Sequence, residues 1–189
     1  MNTKLFERKS LGQVTPRIVY RLFNPQVPVV ICSKFQNEVA AMPVNSCSSA
    51  SDSPPMISVA VGSGTRTNRV IQKSLRFSIN WMNFEPESSR KTILELGNPS
   101  DSGMNYDKLK RHNIPYFVFQ RTPILELARA FAVCKVVKRI RTGDHNLFIA
   151  NVVGAMASRD FTADGYWRFK RYKPILYLGS IRRDPLVTI

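Results

Sequence analysis

Two apolar, β-branched segments, residues 130–140 and 147–158, flank the hexapeptide Arg141-Thr142-Gly143-Asp144-His145-Asn146. This constrains the fold more than any other feature. A turn-rich polar insert between two long strand-like runs predicts an antiparallel hairpin. Shorter strand candidates cover residues 27–33 (interrupted by Pro28), 56–61 (entered through Pro54-Pro55), 77–82, 116–120 and 175–178. Helical patterns are few and short. Thr67 can cap a turn over residues 68–74 with Val70 and Ile71 facing inward. Residues 88–96 and 107–112 give two more. Strands without long intervening helices argue against a parallel doubly wound sheet and for an antiparallel barrel. The chain of 189 residues, 43% of them hydrophobic, suffices for one domain with its own core.

The charge is less ordinary. Against 28 Lys+Arg stand 13 Asp+Glu, a formal net charge of +15. That favours an anionic partner: a phosphorylated cofactor, a nucleic acid or an acidic protein. Basic and aromatic residues interleave at Tyr166, Trp167, Arg168, Phe169, Lys170, Arg171 and Tyr172. Single-strand binders use such interleaving, but no recognition motif accompanies it, so a solvated face with aromatics at a subunit contact is the expected role. No run reaches the ~18–20 apolar residues of a membrane span, and no apolar run follows the charged start, so neither a membrane segment nor a signal peptide is expected. Cys32, Cys47 and Cys134 form no CxxC pair, which removes zinc-ribbon and thioredoxin chemistry and fits a reduced, cytoplasmic setting.

Few local features carry chemistry. Gly62-Ser63-Gly64-Thr65-Arg66-Thr67 lies between a strand and a helix start. Glycines allow close backbone approach, and hydroxyls and amides at a helix N-terminus attract anions. Thr67 stands where a Rossmann fingerprint needs its third glycine, and the Walker pattern is missing too. The stretch is read either as a phosphate-binding turn or as a plain connection. Residues 45–53 form a serine-rich loop that could lie along a flat polar ligand. His145 in its turn is either solvated or a donor to an electron-rich ligand atom, and His112 is assigned to the surface. Two distant histidines without an acidic cluster make no metal site. No Gly-x-Ser-x-Gly elbow supports serine-hydrolase chemistry. Residues 97–105 read as a loop or lid.

The order of the pieces is more specific than any one of them. Pro28-Val29-Val30-Ile31, Ser51-x-x-Pro54-Pro55, Arg66-Thr67-x-x-x-Ile71 and Phe77-x-Ile79-Asn80 resemble the flavin reductase-like FMN-binding family. Gly97…Ser102-Gly103…Asp107-Lys108, Cys134-Lys135-Val136, Gly143-Asp144-His145-x-Leu147-Phe148-Ile149 and Leu176-Tyr177-Leu178-Gly179 are similar to its flavoredoxin-type branch. The match runs through residues 20–180. It implies a mainly β fold, an antiparallel Greek-key split β-barrel with a few short helices, in a homodimer with FMN near the subunit contact. It implies NAD(P)H-dependent reduction of free flavin or a small electron acceptor, or else an FMN electron carrier that uses no nicotinamide. A basic nucleic-acid-binding barrel is the third and weakest reading.

The resemblance also gives the weak features roles. Ser63, Arg66 and Thr67 would hold the phosphate, and Asn45, Ser46, Cys47, Ser48 and Ser51 would line the isoalloxazine and ribityl chain. Ser102 falls in the lid block and is taken with the cofactor-binding set. Lys108 and His145 match a Lys and a His near the flavin, where they would stabilise charge on the reduced ring. Asn45-Ser46 replaces the branch's usual Ser-Trp, and Ala150-Asn151 replaces its Gly-Glu. Cys47 is expected to fill space rather than act as a redox thiol.

Overall fold

The computed structural model describes residues 14–98, 106–162, 164–179 and 185–188. The chain opens with a 3₁₀ segment, Pro16–Phe23. β1 (Val29–Phe35), β2 (Glu38–Val44), β3 (Cys47–Ser51) and β4 (Met56–Gly62) follow. Next come helix α1 (Arg66–Ser74), β5 (Arg76–Met82), helix α2 (Glu87–Gly97) and helix α3 (Lys108–Arg111). β6 (Tyr116–Phe119), β7 (Thr122–Leu125), β8 (Ala128–Thr142) and β9 (His145–Ala157) precede the short β10 (Leu176–Tyr177) and β11 (Leu186–Val187).

Seven strands form one sheet in the order β2-β1-β5-β8-β9-β4-β3, every neighbouring pair antiparallel. Chain geometry closes this sheet into a barrel. β2 and β3 occupy opposite edges, yet only Asn45 and Ser46 join Val44 to Cys47. Three Cα–Cα steps span at most about 11 Å, whereas the edges of a flat seven-stranded sheet would lie about 29 Å apart. The sheet must curl until its edges meet. Among the described residues no ladder joins β2 to β3, so the barrel is split at that seam.

Strand alternation divides the core in two. Val29 and Ile31 of β1, Phe77 and Ile79 of β5, Cys134 of β8 and Phe148 of β9 point into the barrel. The alternate residues Val30, Cys32 and Met82 pack outward against Ile93 and Leu96 of α2, Leu109 of α3, and Ile175. β1 is buried on both faces, which explains its continuous apolar run. β7 is docked to the outer face of β5 by buried polar groups. Ser78 Oγ donates to Pro123 O at 2.5 Å, and Asn80 Oδ1 accepts from Leu125 N at 2.9 Å.

The long hairpin forms as expected, but its turn is tighter. β8 and β9 run through to a Thr142↔His145 pair, leaving Gly143 and Asp144 as the loop, with Gly143 at φ +56°. β1 starts at Val29, after Pro28 instead of through it. Residues 47–51, read as loop, are the edge strand β3. Residue 65, not 67, caps α1: Thr65 Oγ1 accepts from Asn68 N at 3.2 Å, and Thr67 is 3% exposed inside the first turn. β2, β7 and β11 are additional to the expected strands.

Candidate functional site

β4 pairs with β9 so that Gly62 lies opposite His145. The chain then turns from Gly62 to Thr65 and enters α1. Thr65 N and Oγ1 both donate to Gly62 O, at 3.1 and 2.9 Å. The turn is stitched to the hairpin tip, because Ser63 N and Oγ donate to Asp144 O at 2.8 and 2.9 Å. Two motifs separated by some eighty residues therefore form one junction at the barrel rim.

A buried amide network fixes that junction. Asn68 Nδ2 donates to Val61 O at 2.9 Å. Asn68 Oδ1 accepts from Gln72 Nε2 at 2.5 Å and from Asn146 Nδ2 at 3.0 Å. Gln72 Oε1 in turn accepts from Arg139 on β8. Asn68 is fully buried, so each of these groups would be costly to leave unpaired. Sequence reasoning missed Asn68, Gln72 and Asn146. The only available signal was Asn68 just inside a helix start.

His145 is half-exposed, and its Nδ1 lies 2.6 Å from Asp144 Oδ1. The imidazole hydrogen bond, then its charge, hold the Asp144 carboxyl below its ordinary value. With Nδ1 engaged, Nε2 is the outward-acting nitrogen. It faces Gly62, where a Cβ would stand 4.0 Å away. A Cβ on Gly64 would meet nothing within 4 Å, so the turn is open above that residue. First-turn amides of a helix have no intrahelical acceptor and carry the positive end of its dipole. Those of Arg66 and Thr67 begin the helix beside this turn, while Ser63 Oγ gives its one proton to Asp144 O. A phosphate monoester here would meet the helix-end amides and would draw Ser63 Oγ from that carbonyl.

β3 lies alongside. Ser46 Oγ donates to Ala60 O at 2.9 Å, and Ala60 N donates to Ser46 O at 3.1 Å. Cys47 pairs with Val59 and Ser48 with Ser58. The Asn45–Ser48 run therefore reaches the same rim as Gly62, whereas Ser51 stands at the far end of β3, opposite Met56. Cys47 packs against the barrel core, and burial pushes its thiol up to about 12. That is the state of a space-filling residue. Burial pushes Cys32 and Cys134 up to about 12 as well.

Other expected site residues are engaged elsewhere. The Arg66 guanidinium turns to the β1–β2 turn, with Nε donating to Val39 O at 3.1 Å and Nη1 at 3.9 Å from Glu38 Oε1. Lys108 Nζ donates to Leu96 O at 2.6 Å and Asn98 O at 3.3 Å, satisfying carbonyls at the C-terminus of α2. That end approaches the seam, since a Cβ on Gly97 would be 3.2 Å from Pro43 Cγ. Ser102 lies outside the described residues, as does most of the expected lid. Among the described residues no group of three or more His, Cys, Asp or Glu could hold a metal ion, and no helix is long and apolar enough to cross a membrane.

The model of the flavin reductase like domain matches residues 20–176. The chain belongs to this family. The crystal structure of an FMN-binding protein from Thermus thermophilus, with 1-cyclohex-2-enone bound, is 25% identical at a TM-score of 0.77, over 95% of each chain. A flavoredoxin from Methanosarcina acetivorans shares the fold, with a TM-score of 0.78 at 17% identity over 95% of this chain and 91% of that one. A Rhodococcus opacus protein named as the reductase component of 4-nitrophenol 4-monooxygenase/4-nitrocatechol 2-monooxygenase is 29% identical over 114 residues, 60% of this chain. The chain spans 61% and 56% of the length of the curated relatives it matches. The flavin reductase-like family and the split antiparallel barrel are thus both as the motif order implied.

Outside the barrel, the basic-aromatic segment packs part of its own surface. Trp167 stacks on Tyr172 with ring centroids 3.8 Å apart, and Phe161 meets Trp167 edge-on. Tyr172 is buried, while Tyr166 and Phe169 remain exposed.

Proposed function

We propose that the protein binds FMN at the junction of the Gly62–Thr67 turn, the Asp144–His145 hairpin tip and the β3 edge. There it catalyses NAD(P)H-dependent reduction of free flavin or of a small electron acceptor. The observation that carries this reading is the junction itself. An open glycine turn, a hydroxyl and first-turn amides stand beside an imidazole at the rim of a barrel of the flavin reductase like family. FMN, when bound, supplies the hydride-accepting isoalloxazine.

The chain's own residues do the rest. The first-turn amides of α1 hold the phosphate, with Ser63 Oγ turned to it from Asp144 O, and Arg66 adds its charge at the same end of the helix. Asn45, Ser46 and Ser48 present hydroxyl and backbone groups along the ring and ribityl chain. Cys47 contributes backbone there, because its side chain faces the core. His145, held by Asp144, offers Nε2–H to an atom that gains negative charge on reduction. Lys108 acts in the same sense from the α2 end. The names of the Thermus and Rhodococcus proteins, FMN-binding and reductase component, agree with this assignment.

The working form is a homodimer. The 3₁₀ segment Pro16–Phe23 buries none of its residues and exposes Ile18, Leu22 and Phe23. Tyr166 and Phe169 are exposed too, and apolar surface of this extent is normally covered. Sedimentation at micromolar concentration should give a dimer, and a monomer that still holds FMN would refute it. For the activity, NADH and NADPH oxidation is followed with added FMN. Steady turnover supports the reductase. A protein that binds FMN but oxidises neither nucleotide would instead be an electron carrier.

A further inference from the structure

Arg141 is the next-to-last residue of β8 and is exposed. Its cross-strand partner is Asn146, and the partner of Arg139 is Phe148. Cross-strand partners share a face of the sheet, and Phe148 fills the barrel core. Arg139 and Arg141 therefore leave β8 on the barrel's inner side, at the end where Ile71 of α1 enters the same core.

The helix and the strand advance in step. Arg139 donates to Gln72 Oε1. Asn146, beside Arg141, donates from Nδ2 to Asn68 Oδ1 at 3.0 Å. From Gln72 to Asn68 the helix moves about 6 Å, and from Arg139 to Arg141 the strand moves about 7 Å. Arg141 thus stands at the first turn of α1, on the side of Thr65, which lies three residues before Asn68. The open Gly64 turn immediately precedes Thr65.

The chain does not balance the charge at this corner. Gln72, the partner of Arg139, is neutral, and among the described residues Arg141 has no hydrogen-bond or ion-pair partner. The first turn of α1 contains no acidic residue, although that end carries the positive pole of the helix dipole. Asp144, the acid of the hairpin tip, is bound to His145. Two guanidinium groups and a helix N-terminus repel one another unless an anion lies between them. Arg66, the cation that the flavin reading puts at the phosphate, is turned away to Val39 O and Glu38.

We infer that Arg141 is a further ligand of the FMN phosphate. It closes on the phosphate from the hairpin tip, opposite the first-turn amides of α1, and sets the preference for FMN over riboflavin. The inference rests on the flavin reading above and adds a residue of β8 to that site.

Flavin-free protein is titrated with FMN and with riboflavin, each followed by flavin fluorescence. Arg141→Ala should weaken FMN by about tenfold and leave riboflavin within about twofold. Arg141→Lys, which keeps the charge but loses the planar fork, should lose less. Lys138→Ala removes one positive charge from the same strand but from the alternate face, since Lys138 pairs with Ile149. It should leave both affinities unchanged. Arg141→Ala should keep the wild-type denaturation midpoint, because no described partner is lost. An unchanged ratio of FMN to riboflavin affinity in Arg141→Ala overturns the inference, as do equal losses for both flavins or an equal effect of Lys138→Ala. Retained preference in Arg141→Ala with lost preference in Arg66→Ala would leave the flavin reading standing and overturn this assignment alone. Wild-type protein that binds both flavins equally would sink the phosphate site itself, and this inference with it.

Discussion

Two faces of helix α1 are held by different physics. On its inner face, Asn68 is buried and bonded to Val61, Gln72 and Asn146, all through uncharged groups. Along its outer face, Arg66, Arg69 and Lys73 reach Glu38 through ion pairs that are 17–46% exposed. Neutral buried hydrogen bonds are insensitive to salt and acid, but leaving one unmade is expensive. Exposed ion pairs are weak, screened and titratable. The first arrangement suits a junction that must keep one geometry. The second suits a contact that can rearrange with salt and pH.

Asn68→Ala should break this comparison most severely. It leaves Val61 O, Gln72 and Asn146 without a buried partner, which should cost about 2–4 kcal/mol of unfolding free energy. The loss should be the same at low and high salt in denaturant titrations. Affinity for FMN and riboflavin should fall together, because the whole junction moves.

Arg66→Ala acts on the ligand more than on the fold. If its guanidinium leaves Glu38 for the phosphate, a charge-assisted contact of about 1.5–3 kcal/mol is lost and FMN should weaken ten- to a hundred-fold. Riboflavin, which lacks the phosphate, should change little. Equal losses would make Arg66 a structural residue of the β1–β2 turn, where its guanidinium now rests.

His145→Ala should leave affinity for oxidised FMN nearly unchanged and lower the midpoint potential. A hydrogen bond worth about 1 kcal/mol more to the reduced ring amounts to about 20 mV for a two-electron couple. Nδ1 is taken by Asp144, so Nε2 is the nitrogen left to face the flavin. A redox titration of wild type and variant measures the difference. An unchanged potential with a large loss of affinity would mean that His145 only builds the pocket.

Glu38→Gln should have the smallest effect, under about 1 kcal/mol. The Arg69 hydrogen bond, with help from Lys73, holds the Glu38 carboxyl below its ordinary 4.5. A depressed acid stabilises the fold above the ordinary value, and that contribution is lost as pH falls through the depressed one. Wild type and variant should therefore differ at neutral pH and converge as pH falls through the depressed value. They should also converge in high salt, where the Asn68 effect should not.

The same contrast explains what could be read from sequence. Segments with a clear apolar pattern were legible: β4 and β9 alternate in burial over part of their length, β5 and β8 carry runs of four and five buried residues, and their order in the chain contributed to the family resemblance. β3, Cys-Ser-Ser-Ala-Ser, was not. It is a half-exposed edge strand whose small hydroxylic residues carry no β signal. β2 is alanine-rich and contains Pro43, which an edge strand tolerates and a sequence pattern penalises. Two threonines compete for one cap, and position 65 wins because the Gly62 turn closes onto Thr65. Of the candidate site, the turn, the hairpin tip and the serine run were visible as separate weak signals. Their meeting depends on β4–β9 register and on barrel closure across Asn45-Ser46. The redirection of Arg66 to Glu38 and of Lys108 to the α2 terminus are tertiary contacts with no local signature.

On the reading proposed above, the Gly62–Thr67 junction recognises the phosphate of FMN. Parallel fluorescence titrations of the flavin-free protein with FMN and riboflavin test it most directly. FMN should bind at least about tenfold tighter, a preference reduced in Arg66→Ala. Equal affinities for the two flavins in the wild-type protein would contradict it.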